Sequence, residues 1–330
     1  MTAISNLQKL LVIVTLELVA LGAFVAWRFQ TDIEQARARV AHGSTVVATP
    51  CGPIEYQKVG GGVPLLAIHG SGGGYDQGMA FAAPLAHRSI RLIAMSRFGY
   101  LRTPMPVDAS AEAQADAHVC LLDALGIQQA GVLGGSAGAP SPLQMAIRHR
   151  DRVSALILVA PLAYKPPTLA NSAQPTAPWV ENAMMAVIGS DSLFWSAMHL
   201  SRGEMINAVL ATPPALLATA SGSEQARINA MLDNILPVSA RAVGLRCDSA
   251  VGRALRPSRL ELVLAPTLII AARDDRYGAY ASAEYTASQI AGAKFIGFDT
   301  GGHTWVGHND EVMSAIAELL IPATEPRAPG

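Results

Sequence analysis

The first concentration of apolar positions is a single uninterrupted stretch near the start of the chain. Residues 10–27 carry one charge, Glu17, and would form a helix about 27 Å long, enough to cross the hydrocarbon core of a membrane. The stretch is long for a signal peptide, and the small-x-small site Ala20-Leu21-Gly22 lies inside it rather than after it. We therefore predict a single-pass membrane anchor within residues 1–30, with a cleaved signal segment and export as the alternative.

The charges around this stretch leave the side of the membrane open. Lys9 precedes it, whereas Arg28, Arg37 and Arg39 follow it, so the positive-inside rule places the rest of the chain in the cytoplasm. A first apolar helix can also act as an export signal. Residues 31–44 are polar with mixed charges and are interpreted as a linker, in the form of a juxtamembrane helix or stalk.

From residue 45 onward, short apolar runs alternate with glycine-rich turns and helical periodicity. This alternation predicts an α/β fold with a mostly parallel sheet flanked by helices. Residues 166–257 break the rhythm, first with prolines and then with helical stretches rich in Met, Phe and Trp. We predict a core of residues 45–165 and 258–321, a helical insert at 166–257, and a disordered tail at 322–330.

Composition removes several classes of function. With a formal net charge of −1, the chain has no global basic field that would attract nucleic acid. Cys51, Cys120 and Cys247 lack metal-ligand spacing; idle thiols are the favoured interpretation, and one disulfide of unspecified pairing is possible. Nothing in the sequence specifies an oligomeric state.

The segment Gly134-Gly135-Ser136-Ala137-Gly138 matches the G-x-S-x-G pattern. A serine on a sharp turn between strand and helix has a crowded backbone, so small residues are required two positions away on either side. The apolar run before it and the helical periodicity after it provide that context. Ser136 is therefore the candidate nucleophile.

A second glycine-rich turn, His69-Gly70-Ser71-Gly72-Gly73-Gly74, also follows an apolar strand. Such a turn can present backbone N–H groups to a developing anion. It lacks the lysine of a phosphate-binding P-loop. We expect His69, at the end of the strand, to be a structural hydrogen-bonding residue rather than a base.

A candidate base and acid come later in the chain. His303 lies on a tight loop after the last predicted strand, whereas its competitor His308 lies at the start of the final helix. Asp274 and Asp275 follow the preceding strand, and either can orient an imidazole. The order serine, aspartate, histidine differs from that of the chymotrypsin and subtilisin types.

Five segments together resemble the α/β-hydrolase superfamily over roughly residues 45–320. They are the His-Gly turn, the Arg97-Phe98-Gly99-Tyr100 turn, the turn at Ser136, the strand ending at the aspartates, and Gly301-Gly302-His303. The resemblance implies Asp275 as the acid, with Ala272 standing where relatives have glycine. It also implies an oxyanion hole from the N–H groups of Ser71 and Ala137, no metal or cofactor, and a cap in the insert.

On that resemblance, residues of the insert are candidates for an apolar substrate pocket, with ordinary packing of cap helices as the alternative. These candidates are Met184, Met185, Phe194, Trp195 and Met198. The expected function is hydrolysis of a carboxylic ester of a small or medium apolar molecule through an acyl-enzyme. The same residues also serve C–C, amide and thioester hydrolases. A non-catalytic binding protein and a membrane-bound adaptor are the rivals from other classes.

Overall fold

The computed structural model describes residues 6–169 and 186–321, which include an eight-stranded sheet. The strands follow the order β1-β2-β4-β3-β5-β6-β7-β8; β2 runs antiparallel to β1 and β4, and the other neighbours are parallel. The predicted mostly parallel sheet is thus confirmed. The bounds are β1 Thr45–Thr49, β2 Gly52–Val59, β3 Val63–Ile68, β4 Ile90–Met95, β5 Ala130–Gly135, β6 Val153–Val159, β7 Thr267–Ala272 and β8 Lys294–Phe298.

Helices cover both faces of this sheet. Successive residues of a strand point to opposite faces, so Leu66 of β3 joins one hydrophobic cluster and its neighbour Leu65 joins the other. Burial on both faces explains why the strands are continuous apolar runs rather than alternating ones. The flanking helices are α2 Tyr75–Ala82, α3 Ala111–Ala124, α4 Pro140–Arg148, α10 Ala279–Gln289 and α11 Asn309–Leu320.

One helix differs from the sequence-based expectation. Helix α2 was not predicted, because it is only eight residues long and follows a glycine run. Close packing favours Gly78 within it, because a Cβ there would lie only 3.0 Å from the Cβ of Ala94 on the sheet. Helix α4 begins at Pro140, directly after the turn at Ser136, because proline is well tolerated in the first turn of a helix.

The first helix, α1, is continuous from Asn6 to His42 and therefore includes most of the predicted linker. Its apolar half is exposed along the span, whereas Ile33, Ala36 and Val40 near its C-terminal end are buried. The two former residues pack in a cluster with residues of the insert between β6 and β7. The described helices of that insert, here called the cap helices, are α5 Asp191–Leu200, α6 Arg202–Val209, α7 Pro214–Thr219, α8 Gly222–Asp233 and α9 Ala242–Arg253.

The cysteines are not all idle thiols, contrary to the favoured interpretation of the sequence. A disulfide joins Cys51 to Cys120 across a sequence separation of 69 residues, and Cys247 is free. The two residues meet because α3 packs against β1, next to the turn that holds Cys51. The sequence could not choose the pair, since only the fold brings that turn beside α3.

Candidate active site

Ser136 lies on a strained turn directly after β5. Its φ of 49° is a left-handed conformation that a non-glycine residue rarely adopts, and a short 3-10 turn leads from it into α4. The flanking glycines are required by space. A Cβ on Gly138 would clash with the backbone oxygen of His69, and one on Gly134 would lie 2.9 Å from Pro142. The turn holds the serine at the carboxyl edge of the parallel strands.

His303 and Asp275 are paired at the same edge of the sheet. Nδ1 of His303 lies 2.8 Å from Oδ2 of Asp275, and the carboxylate side chain is fully buried. The other carboxylate oxygen, Oδ1, accepts the N–H of Tyr277 at 2.8 Å, which fixes the orientation of the group. A carboxylate on Nδ1 orients the imidazole and leaves Nε2 as the nitrogen that can accept a proton.

Asp274 has a different position from its neighbour. Its two oxygens accept the N–H groups of Gly301 and Gly302 at 3.2 and 2.7 Å, so it fixes the loop that carries His303. His308, the competing histidine, stacks on the ring of Phe298 with 3.9 Å between ring centroids. Of the two aspartates, Asp275 is therefore the one that contacts His303, whereas Asp274 accepts hydrogen bonds from the backbone of the histidine loop.

The imidazole of His69 lies below the glycine-rich turn, where both of its nitrogens contact backbone groups. Its Nε2 accepts the N–H of Arg97 at 2.9 Å, so the proton lies on Nδ1, which donates to the carbonyl oxygen of Gly70 at 2.7 Å. Burial, reinforced by the nearby Arg97 guanidinium, lowers the pKa of His69 well below its ordinary value. A neutral imidazole with both nitrogens occupied matches the structural role expected from the sequence.

A buried ionic network fixes the same turn to the cap. The guanidinium of Arg97 donates to both oxygens of Asp248 on α9, at 2.6 and 2.8 Å, and also to the carbonyl oxygens of His69 and Gly70. The hydroxyls of Tyr100 and Ser71 donate to the same carboxylate at 2.5 and 2.9 Å. Although burial opposes it, Asp248 raises the pKa of Arg97 above its ordinary value.

The sequence does not predict this network, although the Arg97-Phe98-Gly99-Tyr100 turn is one of the segments that carry the family resemblance. Asp248 lies on a cap helix without a recognisable motif, and no local pattern indicates its partner 151 residues away. A second buried ion pair also links cap and core, with the cation on the cap and the carboxylate on the core. Arg241, before α9, donates to Asp76 on α2 at 2.7 Å and is fully buried.

Ser136, His303, Ser71 and Ala137 all line one cavity of about 820 Å³ between the sheet edge and the cap helices. Its described lining is mostly apolar, and the only fixed charge there is Lys165. The candidate nucleophile, the candidate base and both candidate oxyanion donors thus lie along one cavity, and Asp275 contacts His303 from outside its lining.

The proposed pocket residues on α5 do not all line the cavity. Phe194 is buried and lines the cavity. Trp195 and Met198 lie outside its lining. Like Phe194, they belong to the cluster that holds the end of α1, and the Trp195 indole N–H donates to Asp32 at 2.9 Å. Adjacent positions on a helix face different directions, so Trp195 contacts α1 while Phe194 reaches the cavity. Met184 and Met185 fall outside the described residues.

Comparison with protein families places most of the chain in one group. The model of the α/β hydrolase fold family matches residues 63–306, about three quarters of the chain. The matched range includes the turn at Ser136, both aspartates and His303. It ends just before the last helix, and the N-terminal helix lies outside it.

Individual relatives support the same grouping. A solved structure of an α/β hydrolase fold protein from Nakamurella multipartita is 28% identical, with a TM-score of 0.66 over 84% of this chain and 98% of that one. The 2-hydroxymuconate semialdehyde hydrolase of Pseudomonas sp. (strain CF600) is 39% identical over 104 residues, 30% of this chain. That match spans 37% of the length of the Pseudomonas protein.

Proposed function

Since the chain belongs to the α/β hydrolase fold family, we propose that it is a serine hydrolase acting on an uncharged carboxylic ester, with Ser136 as nucleophile. The observation that carries the proposal is the pairing of His303 with the buried Asp275 at 2.8 Å, in the cavity that also holds the strained Ser136. A strained nucleophile beside an oriented imidazole is the arrangement that nucleophilic catalysis needs.

In the proposed mechanism, Nε2 of His303 takes the hydroxyl proton as the Ser136 oxygen attacks the ester carbonyl. Asp275 holds Nδ1–H and stabilises the imidazolium that forms. The N–H groups of Ser71 and Ala137 stabilise the oxyanion, and the proton then passes to the departing alcohol. Water attacks the acyl-enzyme by the same route in reverse, which releases the acid and restores the serine.

The cavity lining supports an apolar, uncharged substrate. Cap side chains such as Phe194, Met205 and Leu245 face the catalytic groups across the cavity. Among the described lining residues, Lys165 carries the only fixed charge, so a single cation is available to offset the desolvation of an anionic substrate. A volume of about 820 Å³ fits a small to medium ester.

Hydrolysis of a C–C bond is the second candidate, and the Pseudomonas relative favours it. The name of that enzyme specifies an unsaturated hydroxy acid semialdehyde and no ester. In that reaction the Ser136 hydroxyl, deprotonated by His303, attacks the aldehyde carbonyl; the neighbouring C–C bond breaks to leave a dienolate, which takes up a proton. Lys165 would then be available to a substrate carboxylate, which gives this alternative a distinct electrostatic requirement.

A panel of p-nitrophenyl esters of increasing acyl length distinguishes the candidates, with Ser136→Ala as the blank. We expect turnover that depends on Ser136 and peaks at one chain length. Turnover of a hydroxydienoate semialdehyde in place of the esters, abolished by Lys165→Met, would support C–C cleavage and overturn ester hydrolysis.

We also propose that α1 anchors the protein in a membrane. It contains an 18-residue window of mean hydropathy 2.4 whose side chains are exposed, and such a surface is not stable in water. The Thr15 hydroxyl donates to the carbonyl oxygen of Leu11 within the helix, so this polar group has a hydrogen-bond partner in apolar surroundings. Because the helix continues without a break into the buried segment at Ile33, it supports an uncleaved anchor over a signal peptide.

The disulfide supports an exported position for the catalytic domain, since such bonds persist mainly in oxidising compartments. This outweighs the charge count around the anchor, which favoured the cytoplasm. Polymer-maleimide labelling of denatured protein taken directly from membranes is the test. We expect one reactive cysteine before reduction and three after it; three reactive cysteines without reduction would contradict the assignment.

A further inference from the structure

The end of α1 and the cap helix α5 run side by side in opposite directions. Arg37 contacts Asp191 at the start of α5 at 3.3 Å. Further back along α1, Asp32 accepts the indole N–H of Trp195 at 2.9 Å. His199, near the end of α5, lies 3.9 Å from the same carboxylate. Helix α5 therefore descends along α1 toward its apolar half.

This register places the end of α5 level with the edge of the apolar span. Leu200 is five residues beyond Trp195, about 7.5 Å further along the helix. The same distance back along α1 from Asp32 reaches Trp27, the last residue of the apolar stretch. Leu200 is 86% exposed, more than Leu193 of the same helix at 50%, whereas Phe194, Trp195 and Met198 are buried.

The same helix forms part of the cavity wall. Phe194 and Ala197 of α5, with Met205 and Ala208 of α6, line the cavity that contains Ser136. Leu200 is the last residue of α5, and Ser201 alone separates it from the start of α6. A contact made by this turn would thus be separated from the substrate cavity by a single layer of helices.

We propose that the turn between α5 and α6, with Leu200 at its tip, is a second membrane contact that seats the cap on the bilayer surface. The occupant of this exposed apolar position is the lipid surface, because the anchor helix that α5 follows enters the membrane at the same level. Seated in this way, the cavity takes apolar esters that are dissolved in the bilayer. The inference rests on the proposed anchor and adds the source of the substrate.

Nitroxide labels on the full chain in lipid vesicles test the depth of this turn. In a Cys247→Ser background, Leu200→Cys is compared with Val14→Cys in the anchor and with Leu264→Cys. Leu264, 71% exposed, precedes β7 at the opposite edge of the sheet from the cap. We expect the labels at positions 14 and 200 to be more accessible to oxygen than to an aqueous nickel reagent, and the label at 264 to show the reverse.

The outcomes separate the two proposals. Suppose that the label at position 14 lies in lipid but the label at position 200 is as accessible to the nickel reagent as the label at position 264. This result would overturn the membrane contact and leave the proposed anchor intact. An aqueous position 14 label would overturn both. As an activity readout, Leu200→Glu should slow hydrolysis of a vesicle-dissolved long-chain ester roughly tenfold, the factor expected when one leucine loses apolar surroundings. A water-soluble short ester should be unaffected, as should both substrates in Leu264→Glu.

Discussion

Asp248→Asn should weaken both the fold and the reaction, because this carboxylate joins the cap to the turn that carries Ser71. The substitution preserves shape but leaves the guanidinium of Arg97, which is 8% exposed, without its charged partner. Breaking a buried ion pair in this way costs about 3–5 kcal/mol. The carbonyl oxygens of His69 and Gly70 still accept from Arg97, so we expect a loss near the lower end of that range.

The effect on the reaction follows from the hydrogen bond between the Ser71 hydroxyl and Asp248 at 2.9 Å. The N–H of Ser71 is one of two proposed oxyanion donors, and outright removal of such a donor costs about 10²–10³-fold in rate. Displacement should cost less, and we expect a loss in kcat of roughly 10- to 100-fold with KM nearly unchanged, since the donor acts mainly on the transition state.

Urea unfolding and ester kinetics on the full chain in detergent measure both effects. Asp123→Asn is the matched control, because Asp123 pairs with Arg152 at the same 2.6 Å but is 60% exposed, and such a surface pair is worth about 0–1 kcal/mol. The reasoning from the buried network would be refuted if Asp248→Asn lowered the free energy of unfolding no more than this control does and left kcat within about twofold of the wild type.

Three further predictions use the same site and core. Asp275→Asn should lower kcat about 10⁴-fold, whereas Asp274→Asn, which only loosens the histidine loop, should cost roughly 10- to 100-fold in ester turnover; equal losses would contradict the division between the two carboxylates. Burial, with a smaller contribution from Arg97, lowers the pKa of His118 to about 3. Stability should therefore be fully present above pH about 6.5 and fall below it, by up to about 5 kcal/mol near pH 3, and acid titration of His118→Gln should show a flatter decline. Phe194→Leu should shift the preferred acyl chain toward greater length in an ester panel, and an unchanged preference would remove this side chain from the substrate pocket.

The core of the fold could be predicted because its signals are local. Each parallel strand is buried on both faces and is therefore an apolar run that ends in a turn, so the sheet was evident from the sequence. The candidate nucleophile was recognisable for the same reason. The space around Gly134 and Gly138 is so limited that the turn requires small residues at fixed offsets from Ser136.

Features that depend on distant partners could not be predicted. Asp248 is an ordinary acidic residue of a helix until the fold sets it beside Arg97. Trp195 was grouped with Phe194 by composition, but only the packing of α1 shows that neighbouring positions of α5 face different partners. The end of α1 was interpreted as a linker because its few apolar residues, such as Ile33, are spaced for one narrow buried stripe.

The assignment of Ser136 as an activated nucleophile is tested most directly by labelling the full-length protein with a fluorophosphonate probe. The account predicts stoichiometric labelling of the wild-type chain at Ser136, none of Ser136→Ala, and strongly slowed labelling of His303→Ala, because the histidine must take the hydroxyl proton. An unlabelled wild-type protein, or equal labelling of the wild type and Ser136→Ala, would contradict it.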